Sequence, residues 1–194
     1  GVVNLSPGWF EVGHDICHGP DDTLCESASL KLANMAKGGH AWLTAIGESA
    51  ALLSSVLRVI HPNLYAMARR SMNEMFTHEN LADVLQMWMS VFNGVSVICN
   101  WETPVHRDNY SSSEWYDMLT TIGPYESAIF ELPGVGLRFR YPSGTVIGLC
   151  GRVLRHGVLE ARGERICLAY YMRKNVQDRL TTSMASWNSR NAYI

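Results

Sequence analysis

Residues 141–158 read YPSGTVIGLCGRVLRHGV, and no other stretch says more about how this chain folds. Pro142, Ser143 and Gly144 form a turn signal, and a short apolar run follows them. Gly151 then allows a tight return, and a second apolar run carries His156. The pattern therefore predicts a turn, a strand, a second turn and a strand that delivers an imidazole.

Upstream of this stretch lies the triplet His106-Arg107-Asp108. In an extended strand, residues i and i+2 point to the same face, so His106 and Asp108 can aim an imidazole and a carboxylate at one point. With His156 they make a set of two histidines and one carboxylate, which leaves three coordination positions open, as in non-haem Fe(II) oxygenases. We therefore predict that His106, Asp108 and His156 are the metal ligands and the catalytic residues.

Arg165 opens the last apolar run, nine residues after His156. A guanidinium at this place can hold a dicarboxylate cosubstrate through a bidentate pair, and the minor alternative is a surface strand charge. Strand alternation predicts that five side chains share one face of this run and look towards the metal site. They are Arg165, Cys167, Ala169, Tyr171 and Arg173.

The first and second halves of the chain differ in periodicity. Helical spacing covers residues 23–37, 41–60, 63–76 and 79–90. From residue 93 the pattern changes to short β-branched and aromatic runs at 94–101, 105–108, 115–122, 127–132, 135–141, 144–149, 154–159 and 164–173. We expect a single α+β domain over residues 1–194, in which helices at about 20–90 buttress a jelly-roll or barrel core at about 93–175.

Composition is that of an ordinary globular protein, with 47% apolar and 18% charged residues. No apolar run reaches the roughly 18 residues that cross a bilayer, and no secretory signal is visible. Five cysteines without a repeated spacing favour a reducing, intracellular compartment. Residues 138–165 contain six Arg and two Glu, which is either a solvated strand surface or a field that attracts a dicarboxylate or a phosphate backbone.

Several segments together resemble the TET/JBP family of Fe(II)- and 2-oxoglutarate-dependent dioxygenases. They are NWETPVHRDNYS at 100–111, LPGVGLRFRY at 132–141, and the segments that contain His156 and Arg165. The likeness covers about residues 93–175 and is closest to the compact fungal members. It implies a double-stranded β-helix core that uses Fe(II), 2-oxoglutarate and O2. It also implies oxidation of the methyl group of methylated nucleobases, above all 5-methylcytosine in DNA, to hydroxymethyl and further forms, as in DNA demethylation.

The resemblance also implies roles for individual residues. Members of the family flip the target base and stack it on an aromatic ring six positions past the cosubstrate arginine, which is Tyr171 here. By position, Ser111 is expected to contact the base edge and Asn100 the cosubstrate, and Arg173 is expected to bind substrate beside Tyr171. Cys167 departs from the hydroxyl that the family often has there, and a cysteine-rich zinc region is not seen. The implied partner is methylated DNA, with no membrane, for a nuclear protein expected to be a monomer.

Two other functions stay open at this level. The first is the same chemistry on a small molecule or a protein side chain, which the modest charge of the chain favours over a dedicated duplex binder. The second is a metal-free binding module of the same fold, against which the intact metal set argues. His14, Cys17 and His18 could bind zinc or cover the mouth of the site, but they lack zinc-finger spacing.

Overall fold

Between the N-terminal strand and a short C-terminal helix, the part of the chain that the structure describes forms four α-helices and then eight antiparallel strands, in the order that its periodicity predicts. The computed structural model describes residues 1–10, 23–31, 38–180 and 182–193. The α-helices in these ranges are α1 (Gly39–Ala45), α2 (Gly47–Ile60), α3 (Pro62–Met75), α4 (Ala82–Met87) and α5 (Lys174–Arg179). The strands are β1 (Val2–Leu5), β2 (Gly94–Cys99), β3 (Thr103–His106), β4 (Asp117–Ile122), β5 (Ser127–Leu132), β6 (Leu137–Arg140), β7 (Val146–Leu149), β8 (His156–Arg162) and β9 (Ile166–Tyr171).

The strands form two antiparallel sheets that face each other. The larger sheet has the order β1-β2-β9-β4-β7 and the smaller one the order β3-β8-β5-β6. Leu119 and Leu149 of the larger sheet pack in one buried cluster with Phe130 and Val158 of the smaller sheet. Two facing sheets with crossing connections make a double-stranded β-helix, so the predicted α+β fold class is confirmed.

The helices cover the outer face of the larger sheet. Leu57 of α2 and Leu64 of α3 are fully buried, in one cluster with Val95 of β2 and Tyr170 of β9. Proline at the first position of α3 suits a helix start, because the N–H that it lacks would have no partner there. No single helix in the described ranges has the length and apolar character to cross a membrane, although the bent pair α1–α2 passes that test jointly.

Strand β9 separates the helical core from the space between the sheets. It is a central strand, hydrogen-bonded to β2 on one side and to β4 on the other. Leu168 and Tyr170 point into the helix-side core, whereas Cys167, Ala169 and Tyr171 line a cavity on the opposite face. This alternation follows from the two-residue period of a strand, and it places the predicted face of β9 towards the cavity.

Two local predictions for the first sixty residues are wrong, and one strand there was not predicted. The helix predicted over 23–37 is absent from its described part: residues 23–31 hold a turn and the isolated bridge between Cys25 and Trp9, and residues 32–37 lie outside the described ranges. The helix predicted over 41–60 is broken at Ile46. Strand β1 was not predicted, because it is an edge strand with three exposed residues in four and so carries no alternation.

Candidate active site

Two strands of the smaller sheet bring a pair of histidines side by side. β3 ends at His106 and β8 begins at His156, these residues are register partners, and their ring centroids lie 4.5 Å apart. Asp108 follows β3, with Oδ1 3.3 Å from His106 Nε2 and Oδ2 3.5 Å from His156 Nε2. One potential ligand atom from each of the three residues lies within 4.8 Å of the others, so a single ion can contact all three.

Each imidazole is oriented by a backbone carbonyl two residues before it. His106 Nδ1 lies 2.8 Å from the carbonyl oxygen of Pro104, and His156 Nδ1 lies 3.0 Å from that of Leu154. Because a carbonyl oxygen only accepts hydrogen bonds, each Nδ1 carries the proton and each Nε2 keeps its lone pair for the centre. Two imidazole nitrogens and one carboxylate, with the cavity side open, are a donor set that fits Fe(II).

Four titratable groups share this corner of the molecule. Burial raises the pKa of Asp108, but the hydrogen bond with His106 and the charges of both imidazoles outweigh it and hold that pKa below its ordinary value. Burial and the adjacent charge of Asp108 raise the pKa of Asp117 well above its ordinary value. The pKa of His106 is raised through its hydrogen bond with Asp108, and burial lowers that of His156. Asp108 is therefore the ionised carboxylate of the pair, as a metal ligand needs to be.

A glycine supports the carboxylate ligand. The backbone N–H of Asp108 donates to the carbonyl of Gly151 at 3.0 Å. A Cβ added to Gly151 would overlap the carboxyl oxygens of both Asp108 and Asp117. Residue 151, in the tight turn after β7, therefore has to be glycine, since any side chain there would displace the carboxylate ligand.

We expect Gly151→Ala to weaken metal binding by about 10- to 100-fold, the range found when groups that support metal ligands are altered. The measurement is a Co(II) titration followed by absorption, with thermal unfolding recorded in parallel. Gly134→Ala is the matched control, because a Cβ at Gly134 would meet no atom within 4 Å. Equal affinities of the two variants would contradict the role of Gly151.

Arg165 is a buried cation with one free hydrogen-bonding group. The residue is 1% exposed, its Nε donates to Thr121 Oγ1 at 3.0 Å, and one Nη donates to the carbonyl of Trp101 at 3.3 Å. Its guanidinium carbon lies 5.6 Å from the centroid of the Tyr141 ring. The second Nη is buried and has no partner among the described residues, and the side chain lines the cavity. A carboxylate in the cavity would supply the missing acceptor.

Asn100 stands behind Arg165. Its Oδ1 accepts from the backbone N–H of Arg165 at 2.7 Å, and its own N–H donates to the Arg165 carbonyl at 2.8 Å. Its φ of 50° ends β2 in a left-handed turn that brings these groups together. The side chain therefore positions the cation, and it is not among the described residues that line the cavity. A direct contact of Asn100 with a cosubstrate stays a prediction.

The cavity between the sheets has a volume of about 570 Å³. Besides the three candidate ligands and Arg165, it is lined by Ser111, Tyr171 and Arg173, so the structure brings these predicted substrate residues to one space. The ring of Tyr171 lies against β2 at Gly94, where a Cβ would stand 2.7 Å from the ring. Trp9 and Phe10 line the cavity too, whereas the cluster of His14, Cys17 and His18 lies outside the described residues.

Sequence reasoning missed several residues that shape the site. Thr121 orients Arg165, Asp117 stands behind Asp108, and Trp9 reaches the cavity from a segment more than ninety residues away from the metal triplet. No local pattern marks these positions, because each acts through a partner that is distant along the chain. The sequence pattern did mark Gly151, but only as a turn residue and not as a support for the carboxylate ligand.

Comparison with known proteins agrees with this geometry. Residues 9–174 match the Tet_JBP family model, described as the oxygenase domain of the 2OGFeDO superfamily. Among solved structures, the fold is similar to that of NgTET1 in complex with 5mC DNA, with a TM-score of 0.55 and 15% sequence identity. That likeness, which shows the fold alone, covers 87% of this chain and 61% of the other. No curated protein matches the chain significantly in sequence.

Proposed function

Since the chain belongs to the Tet_JBP family of 2-oxoglutarate- and Fe(II)-dependent oxygenases, we propose that it oxidises the methyl group of a methylated nucleobase, and 5-methylcytosine in DNA first of all. The similar fold of NgTET1, which was solved with 5mC DNA, supports this choice of substrate. From the resemblance to the family alone, we also propose that the protein acts in the nucleus and as a monomer.

The residues of the site fit the cofactors of the superfamily, which are Fe(II), 2-oxoglutarate and O2. His106, Asp108 and His156 would hold Fe(II) through two Nε2 atoms and a carboxylate. Arg165 would bind the carboxylate of 2-oxoglutarate that is remote from the metal, through its free Nη. When bound, the iron supplies oxidation of a C–H bond to an alcohol, coupled to conversion of 2-oxoglutarate and O2 to succinate and CO2.

The observation that carries the nucleobase proposal is the position of Tyr171. Its ring lies on the cavity face of β9, six residues after Arg165 and in the space that the metal triad also lines. Burial raises the pKa of its phenol, so the ring is neutral and presents an apolar face. Stacking on such a ring stabilises an unpaired base by roughly 1–3 kcal/mol, which offsets part of the cost of flipping it out of a duplex.

Cations at the rim of the cavity suit a phosphate backbone. Arg107 and Arg152 are exposed in the connections that follow β3 and β7, and Lys174 is exposed at the start of α5. Arg152 and Lys174 line a polar cleft of about 420 Å³ that shares Tyr110 and Ser111 with the main cavity. A strand whose flipped base entered the cavity would have its flanking phosphates near these groups.

The decisive experiment is a single-turnover assay. Protein purified without oxygen is mixed with Fe(II), 2-oxoglutarate and duplex DNA that contains 5-methylcytosine, and then exposed to O2. We expect succinate and oxidised base in equal amounts by mass spectrometry. Succinate without oxidised base would move the proposal to a small molecule or a protein side chain. Neither iron binding nor succinate would favour a binding module.

We expect Tyr171→Ala to lower kcat/KM for methylated DNA by about 5- to 150-fold, the equivalent of the lost stacking. Succinate formation in the absence of DNA should stay within about twofold, because Tyr171 contacts neither the metal triad nor Arg165 in our assignment. Tyr171→Phe is the matched variant, and it should retain most activity, since stacking needs the ring and not the hydroxyl. Equal kcat/KM for all three proteins would mean that the base stacks elsewhere.

A further inference from the structure

Tyr110 is an exposed aromatic residue at the rim of the cavity. It lies in the connection between β3 and β4, two residues after the candidate ligand Asp108, and it is 61% exposed although it lines the cavity. Its backbone carbonyl accepts from the N–H of Lys174 at 2.9 Å, and the guanidinium carbon of Arg173 lies over its ring, 5.0 Å from the centroid. With one face of the ring against Arg173, the opposite face is open to solvent.

The contacts of Arg173 fix the orientation of this ring. Arg173 is 7% exposed, and its guanidinium carbon also lies 4.2 Å from the ring centroid of Trp9. Its backbone N–H donates to Asn93 Oδ1 at 2.9 Å, and Trp9 is tied to Cys25 by two backbone hydrogen bonds of 2.7 and 2.9 Å. A ring that is already ordered loses little conformational freedom when a ligand packs on it, so Tyr110 is preorganised for stacking.

Tyr110 stands between the two spaces that the substrate is proposed to occupy. Together with Ser111, it lines both the main cavity, where the flipped base would enter, and the polar cleft, which is also lined by Arg152 and Lys174. Adjacent nucleotides of one strand share a phosphate, and their stacked bases are about 3.4 Å apart. With the target base in the cavity and its flanking phosphate at the cleft, the next base along the strand therefore comes to the rim at Tyr110.

Flipping leaves that next base with an uncovered face. In the duplex it stacks on the target base, and it loses this contact when the target base leaves the helix. We propose that the open face of Tyr110 takes the place of the target base and stacks on the neighbouring base. This inference rests on the proposed function. Because every base presents a π-face, the contact serves whichever base is next and reads no sequence.

The test removes either the ring or the neighbouring base. Duplexes with one 5-methylcytosine carry adenine or a tetrahydrofuran abasic site on its 5′ or its 3′ side, and binding to protein loaded with Co(II) and 2-oxoglutarate is followed by fluorescence anisotropy. Tyr110→Ala should weaken binding of the intact duplex by roughly 5- to 150-fold, the equivalent of the lost stacking. With the abasic site on one of the two sides, wild type and Tyr110→Ala should bind within about twofold of each other, because the stacking partner is gone.

Tyr110→Phe is the matched variant, and it should bind the intact duplex like the wild type, since stacking needs the ring and not the hydroxyl. Arg152→Met is the control for charge: loss of a rim cation should weaken binding of intact and abasic duplexes equally and reduce the salt dependence. Thermal unfolding is recorded for each variant. If Tyr110→Ala does not fold, Tyr110→Leu replaces it, because leucine keeps the apolar bulk without a π-face.

Equal weakening of the intact and both abasic duplexes by Tyr110→Ala would overturn the inference and leave Tyr110 as a support for Arg173. Unchanged binding of the intact duplex by Tyr110→Ala would overturn it as well, as would a loss of binding in Tyr110→Phe. A wild type that binds these duplexes but oxidises no methylated base, when tested with Fe(II) and O2, would instead contradict the proposed function, so the two failures are distinguishable.

Discussion

His106→Ala and Asp108→Ala are each expected to lower turnover by about a thousandfold or more, because each removes one of three ligands from a centre that supplies several kcal/mol to the reaction. The fold should survive both changes. His106 lies at the end of the edge strand β3, Asp108 lies beyond that strand, and neither side chain belongs to a buried apolar cluster of the described residues. The measurements are single-turnover oxidation, Co(II) affinity from absorption and thermal unfolding.

His78→Ala is the matched control, because His78 belongs to the helical half of the chain and is not among the described residues that line the cavity. It should bind Co(II) and turn over like the wild type. Full activity in both ligand variants, with unaltered Co(II) affinity, would refute the metal assignment. Lost activity with unaltered Co(II) affinity would instead show that the side chains act after metal binding.

Arg165→Met is expected to raise the KM for 2-oxoglutarate by about 100-fold, since charged hydrogen bonds to a carboxylate contribute roughly 1.5–3 kcal/mol each. Arg165→Lys keeps the charge, but it cannot reach Thr121, Trp101 and a carboxylate at once, so we expect an intermediate KM. The maximal rate at saturating 2-oxoglutarate should fall much less than kcat/KM, because the cation binds the cosubstrate away from the reacting atoms.

Arg162→Met tests whether charge in general matters, since Arg162 is exposed at the end of β8, three residues before Arg165. It should leave the KM for 2-oxoglutarate unchanged. An unchanged KM in Arg165→Met would remove the proposed role of this cation. Loss of folding in Arg165→Met, visible by circular dichroism, would leave Arg165→Lys as the deciding variant.

The sheet core and the order of the site residues were predictable from local patterns. All eight strands predicted after residue 93 are present, with ends that differ by up to three residues. Alternation along β9 assigns Cys167 and Tyr171 to one face and Leu168 and Tyr170 to the other, because successive strand residues must point in opposite directions. His106 and Asp108 also converge, but not by strand alternation: β3 ends at His106, and the backbone N–H of Asp108 is held by the carbonyl of Gly151.

The segment around Cys25 shows where such patterns fail. Leu24 is fully buried, as a helix over 23–37 would require, but Ala28 on the same helical face is exposed. Leu30, which does not lie on that face, is fully buried, and both leucines reach the core from a segment that holds a turn and a bridge to Trp9. Large apolar side chains in this segment are buried, but apolar spacing predicts a helix only if the backbone hydrogen bonds are made locally. Here the backbone N–H and C=O of Cys25 are hydrogen-bonded to Trp9, which lies sixteen residues earlier in the sequence. Tertiary pairing therefore prevails over local helix propensity.

Short-range sequence thus determines which side chains share a strand face and which donor types occur in the metal set, because both depend on residues a few positions apart. The packing of the two sheets determines how those groups are oriented and charged. The carboxyl of Asp117 behind Asp108, the hydroxyl of Thr121 on Arg165 and the ring of Trp9 on Arg173 all come from other segments of the chain. These electrostatic and hydrogen-bond effects act through space between groups that are distant in the sequence, so they arise only when the chain folds.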